Sequence, residues 1–288
     1  MCVETPGVPA LLPPESRGPT DRIDPRELTA IGGTSAAWVG LPPEAGGHEP
    51  AIVVLCHERY GVVQHTIELA DRFAAAGFVT VAPDFYADME LTGAEERLPD
   101  VPDEAVLRHV DAAISFARRQ PGCGARTPVA VIGICRSGSY GILASAQRPD
   151  VDAVVMLYGG AQAREFRPDG PRSSDYETAL RTGTAPVLGL WGERDHTMSV
   201  DDVRRVRDVF EEARRSYDFV IYPDMPHGWL NDTMPGRFRS GEANEAFELI
   251  ASWLRNALRP GDDGGDVRWT FRSVISKDYD FSTNERLD

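Results

Sequence analysis

The feature that most constrains the fold of this chain is a succession of short apolar runs separated by longer amphipathic stretches. The runs at 51–56, 78–83 and 128–133 read AIVVLC, FVTVAP and PVAVIG, and runs of this length are typical of strands covered on both faces. The stretches 65–78 and 104–119 repeat apolar residues at helical spacing. Strands that alternate with helices predict an α/β fold, in which a mostly parallel, twisted sheet is flanked by helices on both faces.

The same alternation continues through the following hundred or so residues. We predict further strands at 152–159, 186–192 and 217–223, and further helices at about 139–146, 200–214 and 243–258. The polar, arginine-rich stretch 161–183 is predicted to form a loop or small helix above the sheet, and long segments of this kind tend to lie over a site. Because no repeat and no second set of elements with its own core is evident, we expect a single main domain.

The two ends of the chain differ in composition from this region. Residues 1–24 are rich in Pro and lack a regular apolar pattern, and they predict a flexible arm, so the domain is expected to span 25–259 and to open with a hairpin within 27–39. Residues 260–288 begin with the linker PGDDGGD, and within the following stretch, 267–276, apolar and polar residues alternate from Val267 to Arg272. This C-terminal extension predicts an added strand that pairs with a sheet edge or with another subunit, and the second arrangement would make a homo-oligomer.

Charge and composition exclude several kinds of partner. The chain has 30 basic and 45 acidic residues and a formal charge of −15, whereas nucleic-acid binding needs a cationic face. Its apolar runs are far shorter than the about 20 residues of a membrane helix, and its four cysteines form no zinc-binding pattern. We therefore expect a small-molecule substrate, with no nucleic acid, membrane, metal or cofactor. Because the N-terminus does not resemble a secretory signal, we expect a cytoplasmic location.

The sharpest motif surrounds Cys135. The strand predicted at 128–133 runs into the sequence GICRSG, and a helix follows. A strand-to-helix turn this tight holds its central residue in a strained conformation above the sheet, and small neighbouring residues prevent backbone clashes. The adjoining helix N-terminus favours a thiolate. The motif therefore predicts that Cys135 is a nucleophile, and the alternative is a buried structural cysteine.

Two further residues follow predicted strands in an informative order. Asp195 lies in WGERDHTM after one strand, and His227 lies in YPDMPHGWLND after the next. Nucleophile, acid and histidine follow one another in this chain order in α/β-hydrolases, and the carboxyl ends of parallel strands meet at one edge of a sheet. One such residue is usually an ordinary loop residue, but the three in this order predict a catalytic triad of Cys135, His227 and Asp195. The neighbouring His196 is predicted to point elsewhere.

The loop after the first buried strand, with the sequence HERYG, is a further candidate part of the site. In such a sheet this loop supplies one backbone N–H for the oxyanion. Glu58 of this loop is predicted to face the space above Cys135, and a merely polar turn is the alternative. Tyr86, Trp229 and Arg136 are candidate substrate-binding residues. Core packing explains the two aromatic residues equally well, and an ion pair or surface solvation explains Arg136.

Taken together, the motifs HERYG, GICRSG, GERDH and PHGWLND are similar to those of the dienelactone hydrolase family of α/β-hydrolases. The resemblance covers roughly residues 27–258 and implies an α/β-hydrolase fold. It also implies that Cys135 is the nucleophile, that His227 is the general base and acid, and that Asp195 is the carboxylate that orients the histidine.

The resemblance implies roles for neighbouring residues as well. Glu58 corresponds to the family's glutamate, which interacts with the resting thiol and helps it to ionise when substrate enters. The backbone N–H groups of Arg59 and Arg136 correspond to the oxyanion donors. The founding members bind their substrate's carboxylate with two arginines, and the corresponding residues here are Asp88 and Asn231. Asp88 is therefore a candidate substrate-binding residue of opposite charge, and the resemblance does not identify a dienelactone carboxylate as the substrate.

The function predicted from these features is hydrolysis of a small ester or lactone through a thioester intermediate on Cys135. One alternative keeps the triad but changes the acceptor, which would make the protein an acyltransferase or an isomerising tailoring enzyme. Another is a non-catalytic member of the fold that binds a small ligand or senses redox state through Cys135. The presence of both Asp195 and His227 favours a catalytic protein.

Overall fold

A computed structural model of the chain describes residues 36–43, 50–87, 89, 100–167, 169–172, 174–259, 266–275 and 279–287. The predicted N-terminal arm at 1–24 and the first strand of the predicted hairpin lie outside these residues. The second strand of that hairpin is present, but it pairs with a strand further along the chain.

The described strands form one sheet. They are β1 (Ala36–Gly40), β2 (Ala51–Cys56), β3 (Phe78–Asp84), β4 (Val129–Ile134), β5 (Ala153–Leu157), β6 (Val187–Arg194), β7 (Tyr217–Pro226) and β8 (Trp269–Arg272). Their order across the sheet is β1-β3-β2-β4-β5-β6-β7-β8. The β1–β3 pair is antiparallel and each of the others is parallel, so the mostly parallel sheet predicted from the sequence is confirmed.

Helices cover both faces of this sheet. They are α1 (Gln64–Ala75), α2 (Asp103–Ala117), α3 (Tyr140–Gln147), α4 (Tyr176–Thr182), α5 (Val200–Glu212) and α6 (Ser240–Ala257). The buried residues of α1 and α6 belong to one hydrophobic core, and those of α2, α3, α4 and α5 belong to the other. Among the described residues, no helix has the length and hydrophobicity needed to cross a membrane.

Strand β4 shows why the central strands are apolar throughout. All six of its residues are buried. Val129 and Val131 belong to one core, whereas Ala130, Ile132 and Ile134 belong to the other, because successive side chains of a strand point to opposite faces. Both faces are covered, so both sets must be apolar. The polar residues of this region begin where the strand ends, at the edge of the sheet that carries the candidate site.

The C-terminal extension adds the last strand of the sheet. Strand β8 runs parallel to β7, with Trp269 opposite Tyr217, and the Trp269 indole N–H donates to the backbone carbonyl of Arg215 at 2.8 Å. Of the two arrangements predicted for this extension, the structure shows pairing with an edge of the chain's own sheet. Pairing with a second copy of the chain stays a prediction.

The stretch 161–183 contains a short 3-10 turn and helix α4. It is attached to the domain by Arg172, whose side chain is only 2% exposed. Arg172 Nη1 lies 2.8 Å from Asp103 Oδ1, and its Nε lies 3.0 Å from Glu165 Oε2. The pair with Asp103 joins the stretch to the first turn of α2, and the pair with Glu165 lies within the stretch. Gln162 and Arg164 of the same stretch reach the candidate site.

Candidate active site

The candidate site begins at the turn that follows β4. Cys135 comes directly after Ile134 and opens a short 3-10 turn that leads into α3. Its φ of +56° lies in the left-handed region, which residues with a Cβ seldom adopt. A Cβ on Gly133 would lie 2.1 Å from the carbonyl oxygen of Ser137, so the turn requires glycine there. The strained strand-to-helix turn predicted around Cys135 is therefore present.

His227 faces the sulfur of Cys135. It directly follows Pro226, the last residue of β7, and its Nε2 lies 3.1 Å from Cys135 Sγ. His227 is buried, whereas Cys135 is half-buried and lines an open cavity. At this distance the imidazole can take up the proton of the thiol and return it to a reacting group.

Asp195 holds the other ring nitrogen of His227. It directly follows Arg194, the last residue of β6, and it is fully buried. Asp195 Oδ2 lies 2.7 Å from His227 Nδ1, and Asp195 Oδ1 accepts hydrogen bonds from the backbone N–H and the hydroxyl of Thr197, both at 2.7 Å. The carboxylate is thus fixed by Thr197, and it fixes the imidazole with Nε2 towards the sulfur.

The surroundings of His227 favour its protonated form. Burial opposes the charge, but the negative charges of Asp195 and Cys135 and the hydrogen bonds to both outweigh it, and they raise the pKa of His227 well above 6.5. The ring centroid of His196 lies 5.7 Å from that of His227. Burial, followed by the charge on His227, lowers the pKa of His196 to about 4. Of these two neighbouring imidazoles, His227 therefore carries the proton at neutral pH.

Glu58 reaches the same cavity from the loop after β2. It is buried, and its Oε2 accepts a hydrogen bond of 2.7 Å from Asn231 Nδ2. Asn231 Oδ1 accepts from the backbone N–H and the hydroxyl of Thr233, at 3.0 and 2.7 Å, and these two bonds define the orientation of the amide. The structure thus partners the Glu58 carboxylate with Asn231 and the sulfur of Cys135 with His227.

The turn of Cys135 is linked to the loop of Glu58. The Ser137 hydroxyl donates to the backbone carbonyl of His57, and His57 Nε2 accepts from the backbone N–H of Phe85 at 3.1 Å. His57 is only 2% exposed, so its imidazole belongs to the scaffold. Ser137 lies two residues after Cys135, and its hydroxyl connects the ends of β4 and β2.

A cavity of about 200 Å³ lies at this site. Cys135, His227 and Glu58 contribute to its wall together with Thr197 and Gln162. The cationic residues in the described wall are Arg59, Arg136, Arg164, Arg237 and Arg286. Glu58 is the one carboxylate among the described lining residues, so basic side chains outnumber acidic ones in the lining although the chain has a formal charge of −15. Such a cavity favours a ligand that bears a negative charge.

The predicted oxyanion residues lie in the right region. Arg59 and Arg136 both line the cavity beside Cys135, although the role of their backbone N–H groups stays a prediction. The Arg136 side chain forms an ion pair with Asp100, with 3.2 Å between Nη2 and Oδ1. Among the described residues, no cluster of three or more His, Cys, Asp or Glu side chains could hold a metal ion.

The structure corrects two of the predicted substrate-binding residues. Trp229 is fully buried in the core, and the centroid of its ring lies 4.7 Å from the ring centroid of Tyr222. Tyr86 is 6% exposed, and its hydroxyl donates to the backbone carbonyl of Arg59 at 3.0 Å. This hydrogen bond holds the loop that follows β2. Both are core residues outside the described lining of the cavity. Asp88 lies outside the described residues.

Several residues of the cavity were not predicted. His196 lines it, so the prediction that His196 points elsewhere is wrong. Its position next to Asp195 in the chain was the available signal. Arg237 lines the cavity with a side chain that is almost completely buried, and Arg286 reaches it from the C-terminal extension. No sequence pattern marks these two arginines, because the fold alone brings them to the site.

Known proteins are similar to this chain in sequence and in fold. Residues 36–258 match the family described as the dienelactone hydrolase family. A "Putative carboxymethylenebutenolidase" from Methylorubrum extorquens is 30% identical over 233 residues, which make up 77% of this chain and 77% of that protein.

Solved structures show the same architecture. A crystal structure of a "Putative Dienelactone Hydrolase" from Klebsiella pneumoniae has a TM-score of 0.68 at 24% identity and covers 81% of this chain and 97% of that one. A dienelactone hydrolase from Anabaena variabilis has a TM-score of 0.60 at 19% identity and covers 83% of this chain and 100% of that one. These similarities confirm the α/β-hydrolase fold.

Proposed function

The chain belongs to the dienelactone hydrolase family and is a carboxylic ester or lactone hydrolase of that family, and on this premise we propose that Cys135 is its nucleophile. The observation that carries the proposal is the contact of 3.1 Å between Cys135 Sγ and His227 Nε2 at the strained turn after β4. The proposed substrate is a small ester or lactone, and the arginines of the cavity favour one that bears a negative charge.

The first half of the proposed reaction is acylation of Cys135. The thiolate attacks the carbonyl carbon of the ester or lactone and forms a C–S bond, and the carbonyl oxygen becomes an oxyanion. The proposed donors to this oxyanion are the backbone N–H groups of Arg59 and Arg136. When the tetrahedral intermediate collapses, the C–O bond breaks and His227 gives its proton to the leaving oxygen. A lactone ring opens in this step, so its leaving group stays attached to the acyl chain.

The second half is hydrolysis of the thioester. His227, now neutral, takes a proton from a water molecule, whose oxygen attacks the thioester carbon. The C–S bond then breaks, Cys135 leaves as a thiolate, and the product is a carboxylic acid. Asp195 keeps its charge throughout and stabilises the imidazolium. A raised pKa of His227 fits this cycle, because the imidazolium is the acid needed for acylation.

We also propose that Glu58 influences the ionisation of Cys135. Its carboxylate is buried in the cavity wall and held by Asn231 at 2.7 Å. A negative charge in this position disfavours a second negative charge on the sulfur. Displacement of Glu58 by an entering substrate would therefore favour the thiolate when its target is present.

The experiment compares the rate of aryl ester hydrolysis by the native protein with the rates of two alanine variants. We expect Cys135→Ala to lower kcat by about 10³-fold or more, because the nucleophile is removed. The matched control is Cys123→Ala, which removes a half-buried cysteine outside the described cavity lining and should keep the native rate. Near-native activity in Cys135→Ala would overturn the proposal.

Products measured with and without an added alcohol distinguish hydrolysis from the acyltransferase alternative. Free acid should be the main product under both conditions. If the ester of the added alcohol predominated, the acceptor in the proposed mechanism would be wrong, while the role of Cys135 would stand.

A further inference from the structure

The C-terminal extension returns to the active site after strand β8. The Tyr279 hydroxyl donates to the backbone carbonyl of Glu193 at 2.8 Å. Asn284 Nδ2 donates to the carbonyls of Glu193 and Asp195, both at 2.9 Å. Residues 279–287 are therefore attached directly to the end of β6, where the carboxylate that orients His227 is located.

A second attachment lies at the end of this segment. Arg237, which is buried and lines the cavity, donates through Nε to the backbone carbonyl of Leu287. Asn284 and Leu287 are thus both fixed to the wall of the active site, and Arg286 lies between them. The two attachments limit where the Arg286 backbone can move, and its side chain lines the cavity from the solvent side.

Arg286 comes from a different part of the chain than the other cationic residues of the described cavity lining. Arg59, Arg136, Arg164 and Arg237 lie within residues 36–258, the part of the chain that matches the family, and Arg286 lies beyond it. Arg286 lines the cavity together with His196, His227 and Cys135, and its charge acts on His196.

We infer that Arg286 is a specificity-determining residue, which binds a carboxylate or phosphate group of the substrate at the entrance of the active site. The inference rests on the proposed function and adds a residue and a ligand class to it. A guanidinium binds either anion through paired N–H groups. Because hydrogen bonds at Asn284 and Leu287 restrain the backbone on both sides of Arg286, part of the cost of ordering this residue is met before the substrate arrives.

The test uses two alkylating reagents of nearly equal size, one anionic and one neutral. Iodoacetate and iodoacetamide each form a C–S bond with the thiolate of Cys135 and release iodide, and peptide mapping assigns the product to Cys135. The measured quantity is the ratio of the two alkylation rates in the full-length protein at low salt. We expect Arg286→Gln to lower the iodoacetate-to-iodoacetamide ratio by about threefold, because one unit charge near the reagent is lost.

Two control variants make the result specific. Arg286→Lys keeps the charge but loses the paired N–H groups, so it should lower the ratio less than Arg286→Gln does. Arg255→Gln removes the same charge from an exposed position on α6 and should keep the ratio. An unchanged ratio in Arg286→Gln would overturn the inference. Equal slowing of both reagents would overturn it too, because it would indicate a structural role.

The alkylation rates do not depend on turnover, so they separate this inference from the proposed function. A protein that is alkylated selectively but hydrolyses no ester would contradict the proposed function and support the anion site. With turnover, Arg286→Gln should raise KM for an aryl ester of a dicarboxylic acid by about threefold and leave kcat unchanged. The neutral ester of the same length should show no change in KM.

Discussion

At the scale of single residues, the site depends on how three side chains are held. Asp195 is fully buried and takes two hydrogen bonds from Thr197, so its second oxygen has one position, 2.7 Å from His227 Nδ1. That contact orients the ring so that Nε2 meets Cys135 Sγ. The negative charge of the same carboxylate raises the pKa of His227. Asp195 therefore influences both the orientation of the His227 ring and its protonation.

Replacing Asp195 with Asn tests this link through the pH dependence of hydrolysis. Because the charge of Asp195 favours the imidazolium, its removal should lower the pKa of His227. The native protein should keep kcat/KM for a neutral aryl ester up to a pH well above 6.5, and lose it as His227 gives up its proton. In Asp195→Asn the alkaline limb should move to lower pH, and kcat should fall by about 10²-fold or more.

The control for this prediction is Asp201→Asn, on the exposed surface of α5. It changes the net charge equally and should leave the profile in place. An alkaline limb that stays fixed in Asp195→Asn would mean that the carboxylate does not set the protonation of His227.

At the scale of the elements, the strained turn after β4 depends on close backbone packing against the end of β5. A Cβ on Gly138 would lie 2.3 Å from the carbonyl carbon of Gly159, and a Cβ on Gly159 would lie 1.8 Å from the carbonyl oxygen of Cys135. Backbone atoms cannot move aside as a flexible side chain can. The left-handed conformation of Cys135 is therefore maintained by the neighbouring strand as well as by its own turn.

A methyl group at Gly138 should disturb this packing. We expect Gly138→Ala to lower the free energy of unfolding by about 1–3 kcal/mol and to lower kcat/KM by about tenfold or more, because Cys135 shifts relative to His227. The matched control is Gly241→Ala in α6, where a Cβ would contact nothing within 4 Å. It should be neutral or stabilising by up to about 1 kcal/mol. Urea unfolding and ester hydrolysis measure both variants, and native behaviour of Gly138→Ala would contradict the account.

At the scale of the whole molecule, the C-terminal extension completes both the sheet and the active site. Strand β8 continues the sheet beside β7, and residues 279–287 then cross to the ends of β6 and to the cavity. The extension therefore brings a positive charge to a site that the rest of an acidic chain encloses. A segment that the sequence analysis placed outside the domain thus contributes a residue to the lining of the cavity.

The attachment of β8 should contribute measurably to stability. Trp269→Ala removes the indole hydrogen bond to Arg215 and the buried half of a large side chain, so we expect the free energy of unfolding to fall by about 1–2 kcal/mol. The control Val274→Ala alters a residue of the same extension that is 80% exposed and should stay within about 0.5 kcal/mol. If both variants matched the native protein in urea unfolding, β8 would not be a stabilising part of the sheet.

The sequence predicted the elements of the domain well, because the signals for them are local. Strand β2 has the predicted bounds, 51–56, and β4 begins and ends one residue after its predicted bounds. The order of Cys135, Asp195 and His227 was likewise readable, since each follows a strand whose position was clear. What the structure added at these positions is the mutual distance of the three side chains.

Predictions about side-chain direction were less successful. Trp229 and Tyr86 belong to the core, and His196 lines the cavity, because the direction of a loop side chain depends on backbone angles that composition does not specify. The location of Arg286 at the cavity could not be predicted for a different reason. It meets the site through a segment whose attachments, such as Asn284 to Asp195, join residues that are 89 positions apart in the chain.

The most direct test of Cys135 as the nucleophile is to locate the acyl group during turnover. The protein is mixed with an aryl ester, the reaction is stopped with acid within the first turnover, and the peptides are examined by mass spectrometry. We expect one acyl group, on Cys135, that appears as the aryl alcohol is released and disappears as the acid product forms. An acyl group on a different residue, or its persistence on Cys135 while turnover continues, would contradict it.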